Sequence, residues 1–271
     1  MSDAIAQQPS GLVPVLMYHS ISKGASPTCI APQEFRMQMD ILEQAGYSVV
    51  PLPRFGEWTR GNAELPPKSA VLTFDDGFLD FATTAFPELE RRRWPATVFL
   101  PTAHVGGTDS WDSAPSRTSA RRLMDWSTVE NLSAMGVEFG AHSATHVDLT
   151  RLEGDDLTAE ILRPKTLFEE RLGRPVTSFA APFGRSNGLV ESIVRQAYRQ
   201  AVGTELAVAS GQTDPYRVPR IEMWYFRDRT RWTALLRGEA TMFLWARRQL
   251  RRLRAKLTVN THRPDLVGSR S

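Results

Sequence analysis

The chain reads as an α/β fold built on a parallel sheet, closed or open, and three observations predict it. Short apolar runs alternate with amphipathic helical stretches along most of the 271 residues, the repeated strand-helix unit that gives parallel strands. Runs such as Val71-Leu72-Thr73-Phe74 lack the alternating polarity of a half-exposed strand, which suits strands covered on both faces. Two of the runs end on charged or imidazole side chains, at the strand ends where α/β folds place their sites.

The first strand runs from Val13 and ends at His19. The stretch 32–46 is a helix with Phe35, Met39 and Leu42 on one face and Gly46 as its stop, followed by a strand at Tyr47 to Val50. After Asp75-Asp76-Gly77 the sequence "FATTAFPELERRRW" is helical around Pro87, and "ATVFL" is the next strand. Gly106 to Ala120 is rich in Gly, Ser and Thr and has no periodicity, so it is a long loop. A capping box of Ser127 with Glu130 opens the next helix, Gly136 ends it, and "VEFG" is a strand. A helix over 155–173, which Pro164 should kink, the strand "VTSFA", a helix over 188–200 and the strand "AVGT" complete the pattern.

A composition of 41% hydrophobic and 9% aromatic residues is ample for a packed core. No internal repeat or linker precedes about residue 240, so residues 1–240 are expected to form a single domain and 241–271 a basic amphipathic helix and tail. The single cysteine, Cys29, excludes an internal disulfide framework and is compatible with a reducing compartment. The N-terminus has no basic n-region and only a short, proline-interrupted apolar run, so the expected location is cytoplasmic, with peripheral contact at the inner membrane face left open. The net charge of +3 and pI of 9.2 come from the tail, without which the chain is net acidic; no nucleic-acid partner is expected. In that tail Phe243, Ala246, Leu250, Leu253 and Leu257 fall on one helical stripe, with the arginines mostly elsewhere. Two readings stand: a helix packed on the domain with a solvated basic face, or a contact with a membrane surface or an anionic glycan.

Two clusters carry chemistry. Adjacent carboxylates at Asp75 and Asp76 repel unless a cation, a proton or a partner relieves them, although one of them alone would make an ordinary turn with Gly77. His142 and His146, four apart just beyond another strand, can bring two imidazoles to one rim. Two imidazoles and one carboxylate fill three positions of a catalytic zinc site and leave another open.

"TFDDG", "HSATH" and "FAAPFG" resemble the first three motifs of the polysaccharide deacetylases, the NodB-homology domain of carbohydrate esterase family four. "VLMYHSI" and "YRVPRIEM" agree, so the resemblance spans about residues 12 to 225 and is nearest in pattern to the poly-N-acetylglucosamine deacetylase branch. It implies a single-domain irregular (β/α) barrel that removes acetyl groups, N-acetyl by family habit, from an oligo- or polysaccharide. It further implies a divalent metal, usually zinc, on Asp76, His142 and His146, with Asp75 as general base. The metal and the Phe183 N–H would serve the oxyanion. Two positions depart from the pattern. Ala180 stands where the family commonly has an arginine that orients the base, and no Leu-x-His segment supplies the usual general acid, His262 lying in the tail. Arg220 and His19 are the candidate replacements. The alternatives are a non-catalytic carbohydrate-binding relative and a hydrolase of another C–N bond. Trp126 reads as core packing, with a sugar subsite as the alternative, and "MWYF" at 223–226 as barrel packing; Trp111 and Asp112 read as an ordinary loop tip, with a lid as the alternative, and His104 has no evident partner.

Overall fold

The structure is a computed structural model that describes residues 11–24, 26–111 and 120–260, without the side chains of Arg252 and 254–260. Asp112, His262 and the tail beyond 260 therefore lie outside the described residues. In chain order the elements are β1 (Leu12–Val13), β2 (Val15–Tyr18), α1 (Pro32–Gln44), β3 (Ser48–Val49), α2 (Leu52–Thr59), β4 (Ser69–Phe74), α3 (Phe86–Arg92), β5 (Thr97–Leu100) and α4 (Trp126–Ala134). Then follow β6 (Glu138–Ala141), α5 (Gly154–Leu172), β7 (Ser178–Ala180), α6 (Gly188–Ala197), β8 (Gln200–Val202), β9 (Ala209–Ser210), β10 (Ile221–Glu222), α7 (Arg229–Leu236) and α8 (Thr241–Asn260).

The main sheet is a curled run of parallel strands in the order β10-β2-β4-β5-β6-β7-β8, with β3 pairing the start of β4. Its two ends meet in one short segment. Val218 pairs in parallel with Val202 of β8, and three residues later Ile221 pairs with Leu16 of β2. Residues 218–222 thus form a seam that turns an open sheet into an irregular barrel. β1 and β9 make a small antiparallel ribbon beside it.

Strand alternation divides the core in two. Leu16, Tyr18, Leu72, Phe74, Val98 and Leu100 face the helices, while Val15, Val71, Phe99, Ala180, Val202 and Val218 face a smaller interior cluster. On β4 the interior register continues from Val71 to Thr73 and then to Asp75, so the first carboxylate points into the barrel because of its parity. The second follows from backbone geometry: Asp76 and Gly77 both have positive φ, +70° and +71°. A Cβ on Gly77 would lie 1.7 Å from Leu100 Cδ1, so glycine suits that turn on both counts.

Several sequence expectations need correction. α2 was not foreseen; it carries Pro53 and Gly56, residues that weaken a helical pattern. The helix around Pro87 divides into a π-turn, Phe81–Ala85, and α3; proline sits in the first turn of α3, where no N–H is needed. Asp125, and not Ser127, caps α4, accepting the Thr128 N–H at 2.8 Å, a contact worth about 1 kcal/mol. α5 continues as one helix through Pro164. Trp126 packs edge-on against Phe168.

The last helix reverses its expected orientation. Leu244 is buried and Phe243 packs on Tyr225 and Phe226, but Arg247 and Arg251 lie over the Tyr225 ring and Arg248 pairs with Glu205. The arginine side of α8 is therefore the docked side, and Leu250 and Leu253 are exposed.

Candidate metal centre and active site

Asp76, His142 and His146 come together at the C-terminal rim of the sheet, their ligand atoms all within 4.8 Å of one another. The two Nε2 atoms approach Asp76 Oδ1 at 3.4 Å and 3.2 Å. His142 Nδ1–H donates to the Ala180 carbonyl at 2.8 Å; since a carbonyl only accepts, the ring's free lone pair is on Nε2, aimed at the cluster. Two imidazoles and a carboxylate, buried and converging, are a donor set that fits a divalent metal with a position left open. Burial alone would raise the Asp76 carboxyl, but the two imidazoles, which donate from Nε2 whenever that atom is protonated, hold it well below the usual range. Burial pushes His142 down, yet Asp76 and Asp75 leave it raised; at His146 burial prevails and the ring is lowered.

The histidine loop is fixed by a neighbouring helix. Pro164 has no N–H to offer the Glu160 carbonyl one turn back. That carbonyl accepts instead from the Ala144 N–H at 3.1 Å. The Glu160 carboxylate takes the Ala144 and Thr145 N–H groups at 2.9 Å each and the Thr145 hydroxyl at 2.8 Å. Ser143 and His146 sit at φ +59° and +58° and Phe183 at +59°. With Asp76, four of the six described non-glycine residues at positive φ thus belong to this site, and such conformations persist where surrounding structure over-determines them.

Asp75 meets Arg220 fork to fork: Nη1 to Oδ1 is 2.6 Å and Nη2 to Oδ2 is 2.7 Å, both side chains buried. Arg220 reaches in from the seam, its Nε donating to the Gly203 carbonyl and its Nη1 also to Thr73. Ala180 lies in the interior cluster, so β7 presents no long side chain there. Burial would raise the Asp75 carboxyl, but the charge and hydrogen bonds of Arg220 outweigh it and the net shift is downward.

The cleft above these residues holds about 180 Å³ and is walled by His19, Trp111, Arg121, Phe183 and Thr204. His19 Nδ1 is buried with no hydrogen-bond partner among the described residues. The Trp111 ring is 4.4 Å from that of His146, and Phe183, 55% exposed, stands 4.9 Å from the same imidazole. A crevice of about 330 Å³ between α6 and the β7–β8 edge shares Ala181, Gly184 and Thr204 with the cleft. Sequence reasoning missed the placement of Trp111 and Arg121. Trp111 lies in the aperiodic loop and Arg121 directly after it, and the sole signal was a tryptophan among Gly, Ser and Thr. Arg121 is held by Asp109 at 2.8 Å and lies 3.9 Å over the Phe78 ring. His104 has a partner after all, the Thr145 carbonyl at 3.2 Å.

A family profile described as polysaccharide deacetylase matches residues 62–202, just over half of the chain. A putative polysaccharide deacetylase of Bacillus subtilis, YxkH, is 25% identical over 212 residues, 78% of this chain and 71% of that protein. The poly-β-1,6-N-acetyl-D-glucosamine N-deacetylase of Escherichia coli K12 is 35% identical over 117 residues, 41% of this chain but 16% of its own length. Among solved structures, IcaB from Ammonifex degensii superposes with a TM-score of 0.70 at 22% identity, covering 83% of this chain and 97% of that one. Streptococcus pyogenes PplD does so with 0.67 at 24%, covering 78% and 91%. At such identities these two speak for the fold, which is the NodB-type (β/α) barrel. With the profile covering the strands that carry Asp75, Asp76, His142 and His146, the chain belongs to the polysaccharide deacetylase family, as a carbohydrate deacetylase.

Proposed function

We propose that the protein hydrolyses N-acetyl groups of an acetylated polysaccharide, with a divalent metal, zinc in first place, held by Asp76, His142 and His146. The observation that carries this reading is the Asp75–Arg220 fork beside the Asp-His-His cluster: a carboxylate kept ionised and aimed, one residue from a ligand. A protein that only bound sugars would have no use for it.

When bound, the metal would polarise the acetyl carbonyl and the attacking water. Asp75 accepts the proton of that water as its oxygen bonds to the carbonyl carbon, and Arg220 positions Asp75 throughout. The Phe183 N–H donates to the developing oxyanion. His19, whose Nδ1 has no partner among the described residues, gives a proton to the nitrogen as the C–N bond breaks, releasing acetate and a free amine. Trp111 and Phe183 offer aromatic faces to a pyranose ring, and the adjoining crevice has room for a second sugar.

Acetate release from N-acetylated and O-acetylated oligosaccharides, with a chelator and with zinc restored, tests the proposal. The expected result is release from the N-acetylated substrate, abolished by chelation and recovered with metal. Turnover that survives complete metal removal, or none on any acetylated glycan, would overturn it.

A further inference from the structure

α8 docks on the barrel by a face that most amphipathic helices turn to water. Arg251 donates to the Thr204 carbonyl at 3.0 Å and to the Tyr225 hydroxyl at 3.3 Å, Arg248 pairs with Glu205 at 3.3 Å, and Arg247 stacks on Tyr225. With these arginines, Phe243 and Leu244 turned inward, the opposite face carries Met242, Trp245, Leu250 and Leu253, exposed by 84%, 58%, 49% and 57%. Their spacing of three to five residues is that of one helical side. Half of the large hydrophobic side chains exposed among the described residues are on this helix, and apolar side chains gathered on one exposed face mark an interaction surface.

Charge identifies the occupant. Leaving out Arg247, Arg248 and Arg251, which dock on the barrel, the sequence between Tyr225 and Asn260 has seven arginines and lysines against two acids, Asp228 and Glu239. A second copy docked on the same stripe would bring two such segments together, and like charges across an interface disfavour it. An anionic bilayer answers both features, taking apolar side chains below its headgroups, a tryptophan at their level and cations at its surface. We infer that α8 is an interfacial helix that seats the protein on an anionic membrane through Met242, Trp245, Leu250 and Leu253. Thr204, bonded by Arg251, lines the catalytic cleft, so the stripe runs about one helix diameter, ~10 Å, from the cleft rim. The cleft then meets glycan chains carried at that surface.

The test is co-sedimentation of the full chain with vesicles of phosphatidylcholine alone or mixed with phosphatidylglycerol, at low and high salt, beside the double variant Trp245→Glu, Leu250→Glu. Both positions are exposed and outside the cleft, so the variant is expected to keep the wild-type melting temperature and its activity on a soluble oligosaccharide. The wild type should bind the phosphatidylglycerol vesicles, with salt weakening the binding, and the double variant should lose about 10-fold or more in partitioning. Failure of the wild type to bind, or equal binding by the variant, overturns the inference. So does light scattering that shows a wild-type dimer which the variant dissolves, since the stripe would then cover a second copy. Vesicle binding is read without turnover, so its outcome is separate from that of the deacetylase proposal.

Discussion

The Ala144 amide is bonded to Glu160 twice over, to its backbone carbonyl at 3.1 Å and to its side-chain Oε2 at 2.9 Å. A helix on the outside of the barrel thereby sets the loop between His142 and His146. Glu160→Ala removes the carboxylate from Ala144 and Thr145 but leaves the carbonyl in place. The expected result is a metal affinity lowered roughly 10- to 100-fold, as for other residues that orient ligands, with near-normal turnover at saturating metal. Metal titration against a competing chelator checks it.

Arg220→Met leaves the buried Asp75 carboxylate without its counter-ion, a loss of about 3–5 kcal/mol in stability. Burial then acts on Asp75 unopposed by its nearest cation, so its pKa rises and the acid limb of the rate profile moves to higher pH. Arg220→Lys keeps the charge but not the two-pronged geometry, so it should restore much of the stability and less of the rate. Denaturant melts and pH-rate profiles of both variants separate positioning from charge.

Asp75→Asn and Asp76→Asn should differ although the residues are neighbours. Asp76→Asn is expected to lose metal and activity together, because a neutral amide is a poor substitute for a charged ligand. Asp75→Asn should retain metal while the rate falls by roughly two to four orders of magnitude, the worth of a placed general base. Metal content and acetate release measured on the same preparations decide whether the two roles are divided.

Glu88 tests the electrostatics of the shell. Hydrogen bonds from Arg92 and Arg36 hold its pKa at about 2, from an ordinary 4.5. A depressed carboxyl stabilises the fold above its unfolded pKa and ceases to do so as pH falls from 4.5 through about 2. Glu88→Gln should therefore cost roughly 1 kcal/mol at neutral pH, discounted because solvent reaches the pair, and the gap to wild type should close on acidification. Urea melts across that range measure it.

What the sequence reveals depends on how local the signal is. Asp75 and Asp76 stand at the end of an unbroken apolar strand, and His142 and His146 are four apart beyond another, so a shared rim could be read from their both lying at strand ends. Arg220 was a candidate because position 180 was short of an arginine; that it enters from a seam between β8 and β2 depends on closure of the sheet, which no local pattern encodes. Glu160 gave no sign, since its importance comes from a proline four residues later whose effect looked like a kink. Periodicity marked a stripe on α8 but not which side docks. Arginines with long aliphatic stems stacked on Tyr225 became the packing side, which hydrophobicity counts do not anticipate.

The seam also imposes an order in time. A chain leaving the ribosome has all three candidate ligands and Asp75 by the time residue 202 has formed β8, yet residues 218–222 and the guanidinium among them come later. Until then Asp75 would be a carboxylate buried without a cation, and such a group takes up a proton rather than remain charged. The last segment to join the sheet is the one that supplies the counter-ion of the proposed base, so an incomplete chain carries the whole signature motif without the guanidinium that aims it.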